Sequence, residues 1–424
     1  MMPAIVADIG GVKLIPWSFA LYEIGTIVMG AASGLLAMRL GTRRPMAIAA
    51  ALFALGCLVS AVAPAMELLL LGRILQGLGG GALMALSFVI AGARFPHRLS
   101  PRVMAAISTI WGVSALLGPL VGGLFVEFAS WRGGFLFFAA QATGLALWLA
   151  VTKDPGDTPT APDRTESLPA RRLVWLCAGV VLVAYGGIDV TPLGTSIFVL
   201  LGLVCLALFV RMDSSHETSR MLPRQPFSLG NPVGAAMVMI ACFAAATTAV
   251  SVYVPFLITS LHGISELVAG LIIALEAIAW TLAALLISGQ PERRDRFFIL
   301  AGMTLVTVGI ACLIPAVPHG PIWFIALGAV LQGFGFGLAW TFILRRATAI
   351  APDGETQRVS SALPTVHRLG YALGAALLGI VANASGIDQP DRLMTVSAAL
   401  FIASLPVALV GLVAAARFVG KVPR

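Results

Sequence analysis

Charge is what this sequence has least of. Only 11% of its 424 residues are Asp, Glu, Lys or Arg, against roughly 25% in an ordinary soluble domain. With 59% of the residues hydrophobic, no soluble fold of this length has interior enough to hide them. The five cysteines, Cys57, Cys177, Cys205, Cys242 and Cys312, all lie inside apolar runs. They make no CxxC and no disulfide framework, and read as small apolar residues. There is no Gly-x4-Gly-Lys-Ser/Thr phosphate loop, no HExxH and no nucleophile elbow. ATP-driven transport by this chain alone is thereby excluded, and neither an enzyme, a metal site nor a cofactor is expected. The longest loop, Lys153–Arg172, is rich in Pro, Thr and Asp and reads as a linker rather than a catalytic domain.

The 27 basic residues exceed the 19 acidic ones by a net charge of +8. They sit in short loops between apolar runs, whereas a nucleic-acid binder gathers them on one face. The bilayer is the solvent that fits. A helix crossing it needs about 20 apolar residues. Thirteen such runs are present, near 16–37, 45–63, 68–92, 104–126, 134–152, 173–188, 194–210, 233–258, 267–288, 297–315, 321–344, 360–383 and 394–416.

The loops alternate in charge. Arg39, Arg43 and Arg44 follow the first run; Arg94, Arg98 and Arg102 the third; Lys153, Arg164, Arg171 and Arg172 the fifth; Arg211, Arg220 and Arg224 the seventh. Arg293, Arg294 and Arg296 follow the ninth, Arg345, Arg346 and Arg358 the eleventh, and Arg417, Lys421 and Arg424 the last. The alternate loops hold only Lys13, Arg132 and Arg392. Basic loops stay in the cytoplasm, so the C-terminus is expected there and the N-terminus outside, in a multi-pass protein of the cell membrane, a bacterial inner membrane.

The chain also repeats itself. Leu71-Gly72-Arg73-Ile74-Leu75-Gln76-Gly77-Leu78-Gly79 in the third run matches Leu327-Gly328-Ala329-Val330-Leu331-Gln332-Gly333-Phe334-Gly335 in the eleventh, at an offset of 256 residues. The same offset continues through Ala106 and Ala362, Thr109 and Thr365, Gly118 and Gly374, and Gly123 and Gly379. Both copies run in the same direction, as in transporters whose halves are related by an axis along the membrane normal. The expected fold is an all-α polytopic membrane protein of two pseudo-symmetric six-helix bundles with two helices inserted between them. By this arithmetic the first bundle lacks its first helix, and an apolar segment upstream of Met1 is expected. The boundaries are 1–152 for the N-terminal bundle, 153–230 for the linker with two extra helices, and 231–424 for the C-terminal bundle.

The motifs resemble those of the major facilitator superfamily, in particular its fourteen-span drug:proton antiporters, over nearly the whole chain. Residues Pro3 to Gly11 resemble the end of that group's first helix and the loop after it. The loop Gly34-Leu35-Leu36-Ala37-Met38-Arg39-Leu40-Gly41-Thr42-Arg43-Arg44 resembles the family's cytoplasmic signature, with Met38 where the family has an aspartate that closes the cytoplasmic side. Arg73 to Gly77 resembles the fourth-helix motif, and Gly112, Gly118-Pro119 and Gly122-Gly123 the fifth-helix motif of proton-coupled exporters. Trp131-Arg132 resembles the turn before the sixth helix. On this resemblance Gly34, Arg39, Gly41, Arg43 and Arg44 belong to a gating motif, and Gly118, Pro119, Gly122 and Gly123 to a helix-packing motif. The resemblance implies a proton-coupled exporter of drugs or lipophilic metabolites, monomeric, with protons and a small molecule as partners. The alternative is a nutrient or metabolite importer of the same fold.

Charged groups at membrane depth face a cavity or a partner, and few are present here. Glu23 and Glu276 fall in the second helix of each half. A carboxyl in a low-dielectric surrounding can hold a proton near neutral pH, so both are candidates for coupling, with a solvated Glu23 near the outer surface and a structural role for Glu276 as the plainer readings. Arg73 is the third candidate. Gln76, Trp111, Trp280, Gln332, Trp340 and Tyr371 are candidate cavity-lining groups, Gln76 and Gln332 being repeat mates, although the aromatics equally suit packing. Arg368 is expected to snorkel to the cytoplasm, and His367 beside it is a lone titratable group.

Overall fold

Helix is the only open-ended structure that satisfies every backbone group inside a bilayer, and the apolar runs all take it. The computed structural model describes residues 1–94, 100–152, 168–216 and 220–420. These form α1 (Met2–Ile9), α2 (Ile15–Leu40), α3 (Arg43–Ala61), α4 (Met66–Arg94), α5 (Ser100–Phe128), α6 (Trp131–Val151), α7 (Ala170–Tyr185) and α8 (Pro192–Ser214). Then come α9 (Pro232–His262), α10 (Glu266–Leu286), α11 (Asp295–His319), α12 (Ile322–Ala349), α13 (Thr356–Ala384) and α14 (Leu393–Gly420). No strand occurs among the described residues. Arg98, Lys153, Arg164, Lys421 and Arg424 lie outside the described residues, as do the side chains of Arg94, Arg102 and Trp111.

Helices α2 to α14 follow the thirteen apolar runs. Among the described residues eleven helices are long and apolar enough to cross a membrane; the protein is an all-α, multi-pass membrane protein. Outside that count are α5, a helix of 29 residues of which Gly112–Phe128 is the described apolar part, and α7, of 16 residues. At about 1.5 Å per residue α7 extends only about 24 Å, against about 30 Å of hydrocarbon.

The ends of the helices are written in the loops. Ser130, Thr191, Asn231 and Ser265 each accept a hydrogen bond from a backbone N–H in the first turn of the helix they precede, and Pro192 and Pro232 open α8 and α9, where a missing N–H costs nothing. Gly41, which ends α2, has φ +76°, a conformation that strains any residue with a Cβ.

Without water to drive association, membrane helices hold together by close packing of small residues and by interhelical hydrogen bonds. The two halves use the same scheme. In the first, α2 packs on α4, α4 on α3, and α3 on α6; in the second, α10 packs on α12, α12 on α11, and α11 on α14. The crossings match in detail. A Cβ on Gly77 would lie 2.3 Å from the Tyr22 carbonyl oxygen, and one on its mate Gly333 2.0 Å from that of Glu276. Gly81 is pressed against Thr26 and Gly337 against Trp280 in the same way. The halves meet along two seams, α5 with α10 and α2 with α13.

The halves differ at one place. In the second half α9 packs on both α13 and α14. The corresponding faces of α5 and α6 carry only α1, through Met1 against Gly122 and Gly134. Ile110 is 63% and Val113 50% exposed, while their repeat mates Val366 and Leu369 are 0% and 7% exposed. Gly374 is wedged against Ala245 of α9, whereas a Cβ on its mate Gly118 would meet nothing within 4 Å. The expectation that Gly118 serves close helix contact therefore fails among the described residues, because the helix that its mate packs against has no counterpart there.

Helices α7 and α8 form a hairpin, and α7 lies against α13 and α2. A buried ion pair, Arg172 to Asp213 at 2.6 Å, ties its two strokes together at the end carrying the basic loops. Asp213 also accepts from the backbone N–H of Met221 and Leu222. The segment after α8 is fastened to the start of α13, where Arg220 pairs with Glu355 at 2.8 Å. At the opposite end, Asp8 accepts from Trp131 Nε1 at 3.0 Å and pairs with Arg132. Those bonds, that of Arg132 first, hold the Asp8 carboxyl below the usual carboxylate range.

Candidate functional site

Polar side chains in the middle of the helices gather where the two halves face each other. On the N-terminal side the repeat motif of α4 supplies Arg73 and Gln76, one turn apart on a single face. The Arg73 guanidinium donates to the Gln76 side-chain oxygen and, through Nε, to the Ser18 carbonyl at 3.2 Å, and it lies 4.8 Å over the Tyr22 ring. Gln76 is 2% exposed and donates to the Gly56 carbonyl at 3.1 Å and the Ser60 hydroxyl at 3.0 Å. Neither Arg73 nor Gln76 has a buried side-chain polar atom left without a partner, as a buried network requires. Arg73 does not snorkel.

The C-terminal counterpart is incomplete. Gln332, 1% exposed, has neither amide atom hydrogen-bonded. The helix crossings put Leu313 and Gly309 where the first half has Ser60 and Gly56, and Ala329 matches Arg73, so both side-chain partners of Gln76, Ser60 and Arg73, are replaced by apolar groups. The two glutamines are mates in sequence and not in chemistry.

Among the described residues, one ion pair joins the halves in the middle of the helices. Arg368 of α13 donates to Glu23 of α2 at 2.9 Å and to the Met84 sulfur of α4 at 2.9 Å. The two side chains are 23% and 16% exposed. Glu23 is thus neither loose at the outer surface nor without a partner, and Arg368 reaches across the cavity rather than snorkelling to the cytoplasm. Arg368 occupies the position that matches Gly112, so the repeat breaks where the halves make their charged contact.

Glu276 is different. Its carboxylate has no hydrogen-bond or ion-pair partner among the described residues. The crossing contacts pair Glu276 with Tyr22 rather than with Glu23, so the two carboxylates sit one residue apart in register and point to different sides of their helices. Tyr371 of α13 lies within electrostatic reach of Glu276, Glu23 and Arg368.

The wall beside Glu276 is aromatic. Trp280 stacks on Phe336 at 5.1 Å between ring centroids. His367 lies 5.1 Å from Trp340, 5.5 Å from Phe336 and 4.7 Å from Tyr371. The cluster joins Trp280, Trp340 and Tyr371 from the expected cavity set, and adds Phe336 and His367, which the sequence reading had not placed there. A signal existed. Glu276 and Trp280, Gln332, Phe336 and Trp340, and His367 and Tyr371 are spaced by four, which puts each set on one helix face. Trp111 lies outside the described side chains. No group of three or more His, Cys, Asp or Glu among the described residues is placed to hold a metal.

The fifth-helix motif works at a seam. Cβ atoms on Gly112 and Gly123 would meet Thr281 at 3.1 Å and Leu267 at 2.9 Å, and one on Gly270 would lie 2.8 Å from the Pro119 carbonyl oxygen. The mate of Gly123, Gly379, meets Pro16 of α2 at 2.8 Å on the other seam. Of the loop after α2, Arg43 donates to the Leu149 carbonyl at 2.6 Å and to Thr152 at 3.0 Å. Arg39 and Arg44 are exposed, and a Cβ on Gly34 would meet nothing within 4 Å, so these three do not join the halves here. The bonds that do join them near the end away from the basic loops are Met1 amine to Glu266 at 2.5 Å, Lys13 to Asp388 at 3.2 Å, and Asn383 to the Lys13 carbonyl at 3.2 Å.

Known proteins resemble this chain in sequence or in fold. The sequence profile of the Major Facilitator Superfamily matches residues 1–290 and 236–424. A probable multidrug-efflux transporter of Mycobacterium tuberculosis is 29% identical over 90% of this chain and 83% of its own. The multidrug efflux pump SdrM of Staphylococcus aureus is 25% identical over 95% and 89%, and the riboflavin transporter RibZ of Clostridioides difficile 24% identical over 88% and 81%. A peptide transporter POT in complex with sulfate, 18% identical, superposes with a TM-score of 0.68 over 96% of this chain and 86% of that one.

Proposed function

We propose, from the premise that this chain belongs to the Major Facilitator Superfamily, that it is a proton-coupled exporter of drugs or lipophilic metabolites, working by alternating access. That it is a transporter and not an enzyme follows from the family. Export and proton coupling are our reading. The multidrug-efflux relatives support export, and an aromatic wall with few charges suits a lipophilic solute.

The observation that carries the coupling is the pair of unlike carboxylates at one cavity. Glu23 is held by an arginine of the opposite half, while Glu276 stands alone against Trp280 and Tyr371. Glu276 is the group that takes up the coupling proton, and Arg73, which lies within electrostatic reach of Glu23, is the fixed cation that favours proton release from a neighbouring carboxyl. The Glu23–Arg368 pair joins the halves in one conformation and must part in the other. The units are residues 1–152, 153–230 and 231–424. The chain works as a monomer in the cell membrane with its basic loops and C-terminus in the cytoplasm, and the bonds joining the halves then close the outer side.

A second reading, an importer of a nutrient or metabolite, is favoured by Met38 in place of the gating aspartate and by the likeness to a riboflavin transporter. Transport in proteoliposomes under an imposed pH gradient separates the two. Accumulation against the proton gradient in the antiport direction supports export; uptake in the direction of the protons overturns it.

A further inference from the structure

The basic end of the second half holds a charged cavity that the transport pathway does not use. It has a volume of about 430 Å³ and is lined by Glu292, Arg293, Asp295, Arg296, Arg345 and Arg346. Four guanidinium groups face two carboxylates. Asp295, 3% exposed, pairs with Arg345 and lies within electrostatic reach of Arg346; two carboxylates against four guanidinium groups still leave the lining positive.

The arginines at the back are held in place. Arg345 also donates to the Gln290 carbonyl at 3.1 and 3.2 Å and lies over the Phe342 ring. Arg346 donates to the Val419 carbonyl at 3.3 Å and lies over the Phe418 ring. Arg293 and Arg296 at the mouth are exposed, and Arg296 is within electrostatic reach of Arg346. Like charges held this close favour an anion between them. The cavity also opens at the start of α11, a helix of 25 residues whose N-terminus adds partial positive charge. The internal repeat does not account for it. The positions matching Arg345 and Arg346 in the first half are Val89 and Ile90.

The surroundings select among anions. Phe297 is 67%, Leu285 65% and Leu286 71% exposed, and all three flank the turn that forms the mouth. An apolar rim beside a basic pocket at a membrane surface matches a headgroup with its acyl chains attached. We propose that this cavity binds the phosphate of an anionic phospholipid, with the guanidinium groups on the phosphate oxygens and the acyl chains along Leu285, Leu286 and Phe297. The bound lipid ties the turn between α10 and α11 to the end of α12.

The test titrates phosphatidylglycerol or phosphatidylcholine onto the purified full chain in detergent and counts bound lipid by native mass spectrometry. Phosphatidylglycerol should bind at least tenfold more tightly. Arg293→Gln/Arg296→Gln, which alters exposed groups only, should weaken it about thirtyfold, from the known attraction per basic residue at an anionic surface. Arg171→Gln/Arg211→Gln, which removes two exposed charges on the α7–α8 hairpin, should leave it unchanged. Equal binding of phosphatidylcholine, an unaffected Arg293→Gln/Arg296→Gln variant, or an equal loss in the control variant would each overturn the proposal. Displacement of phosphatidylglycerol by millimolar inorganic phosphate would make this a free-anion site and overturn the assignment to lipid.

Discussion

Removing one partner of the Glu23–Arg368 pair should shift the balance between the transporter's conformations. An exposed ion pair contributes about 0–1 kcal/mol, and stranding one member of a fully buried pair costs about 3–5 kcal/mol. At 16% and 23% side-chain exposure, this pair falls between, at about 2 kcal/mol. The pair biases the equilibrium only to the extent that it exists in one conformation and not in the other. Because it spans the halves, that difference is nearly its whole contribution, and about 2 kcal/mol is about a thirtyfold change in the ratio of states. Spin labels on the exposed Arg39 and Arg293 positions, one per half, report the opening of the basic end. Glu23→Gln, which mimics protonation, and Arg368→Gln should each move the distance distribution toward the alternative state. The double variant should move it less than the sum of the two, because each single change already removes the pair. Distributions that match the wild type in Glu23→Gln, or strictly additive effects, would refute the role assigned to the pair.

Other outcomes follow from the same structure. Glu276→Gln should abolish gradient-driven transport in proteoliposomes while solute binding survives, since the amide keeps the shape without the titration; unchanged gradient dependence would remove Glu276 from the mechanism. Gly118→Ala should leave the melting temperature in detergent within a degree or so, while Gly374→Ala, whose Cβ would lie 2.6 Å from backbone atoms of Ala245, should lower it by several degrees; equal effects would contradict the packing described. Asp213→Ala removes the carboxylate that Arg172 and two backbone N–H groups share, and should cost about 3 kcal/mol, read as loss of folded protein on size-exclusion chromatography. The tie of Asp8 to Trp131 and Arg132 should persist from neutral pH down through the usual carboxylate range and be lost only below it, because its carboxyl is depressed; Trp131 fluorescence reports the loss. Reporters fused after Arg224 or Arg296 should read the cytoplasm, and reporters at His262 or His319 the outside; a cytoplasmic signal at either histidine would reverse the topology.

The helices were legible because hydropathy and length decide them in a bilayer, and the repeat was legible because glycines such as Gly77 and Gly333 must stand where backbones cross. The register of the second helices was not. Glu276 pairs with Tyr22 and not with Glu23 because the stretch between second and fourth helices differs by two residues in the two halves, which an offset read in α4 and α12 does not reveal. The partner of Arg368 was hidden for another reason. It lies 345 residues away, and the choice between snorkelling and reaching inward depends on which face of α13 meets α2. His367 read as a lone histidine for the same reason, since Trp340 and Phe336 come to it from another helix.

The α7–α8 hairpin makes the two joints of the molecule unlike. Along the contact of α2 with α13 it acts as a splint. Gly187 is pressed onto Ile380, and Asn383 binds the carbonyls of both Lys13 and Gly187, the latter at 2.5 Å. Among the described residues the joint of α5 with α10 carries a smaller tie, Met1, which meets Gly122 and pairs with Glu266, and its outer faces, through Val113 and Leu271, are open to the surroundings. Two bodies joined by one broadly and one lightly fastened edge would swing like a door rather than tilt like a seesaw. The wider excursion would then fall at the lighter edge, and under the export proposed above a lipophilic solute passing sideways into the bilayer would meet that edge and not the splinted one.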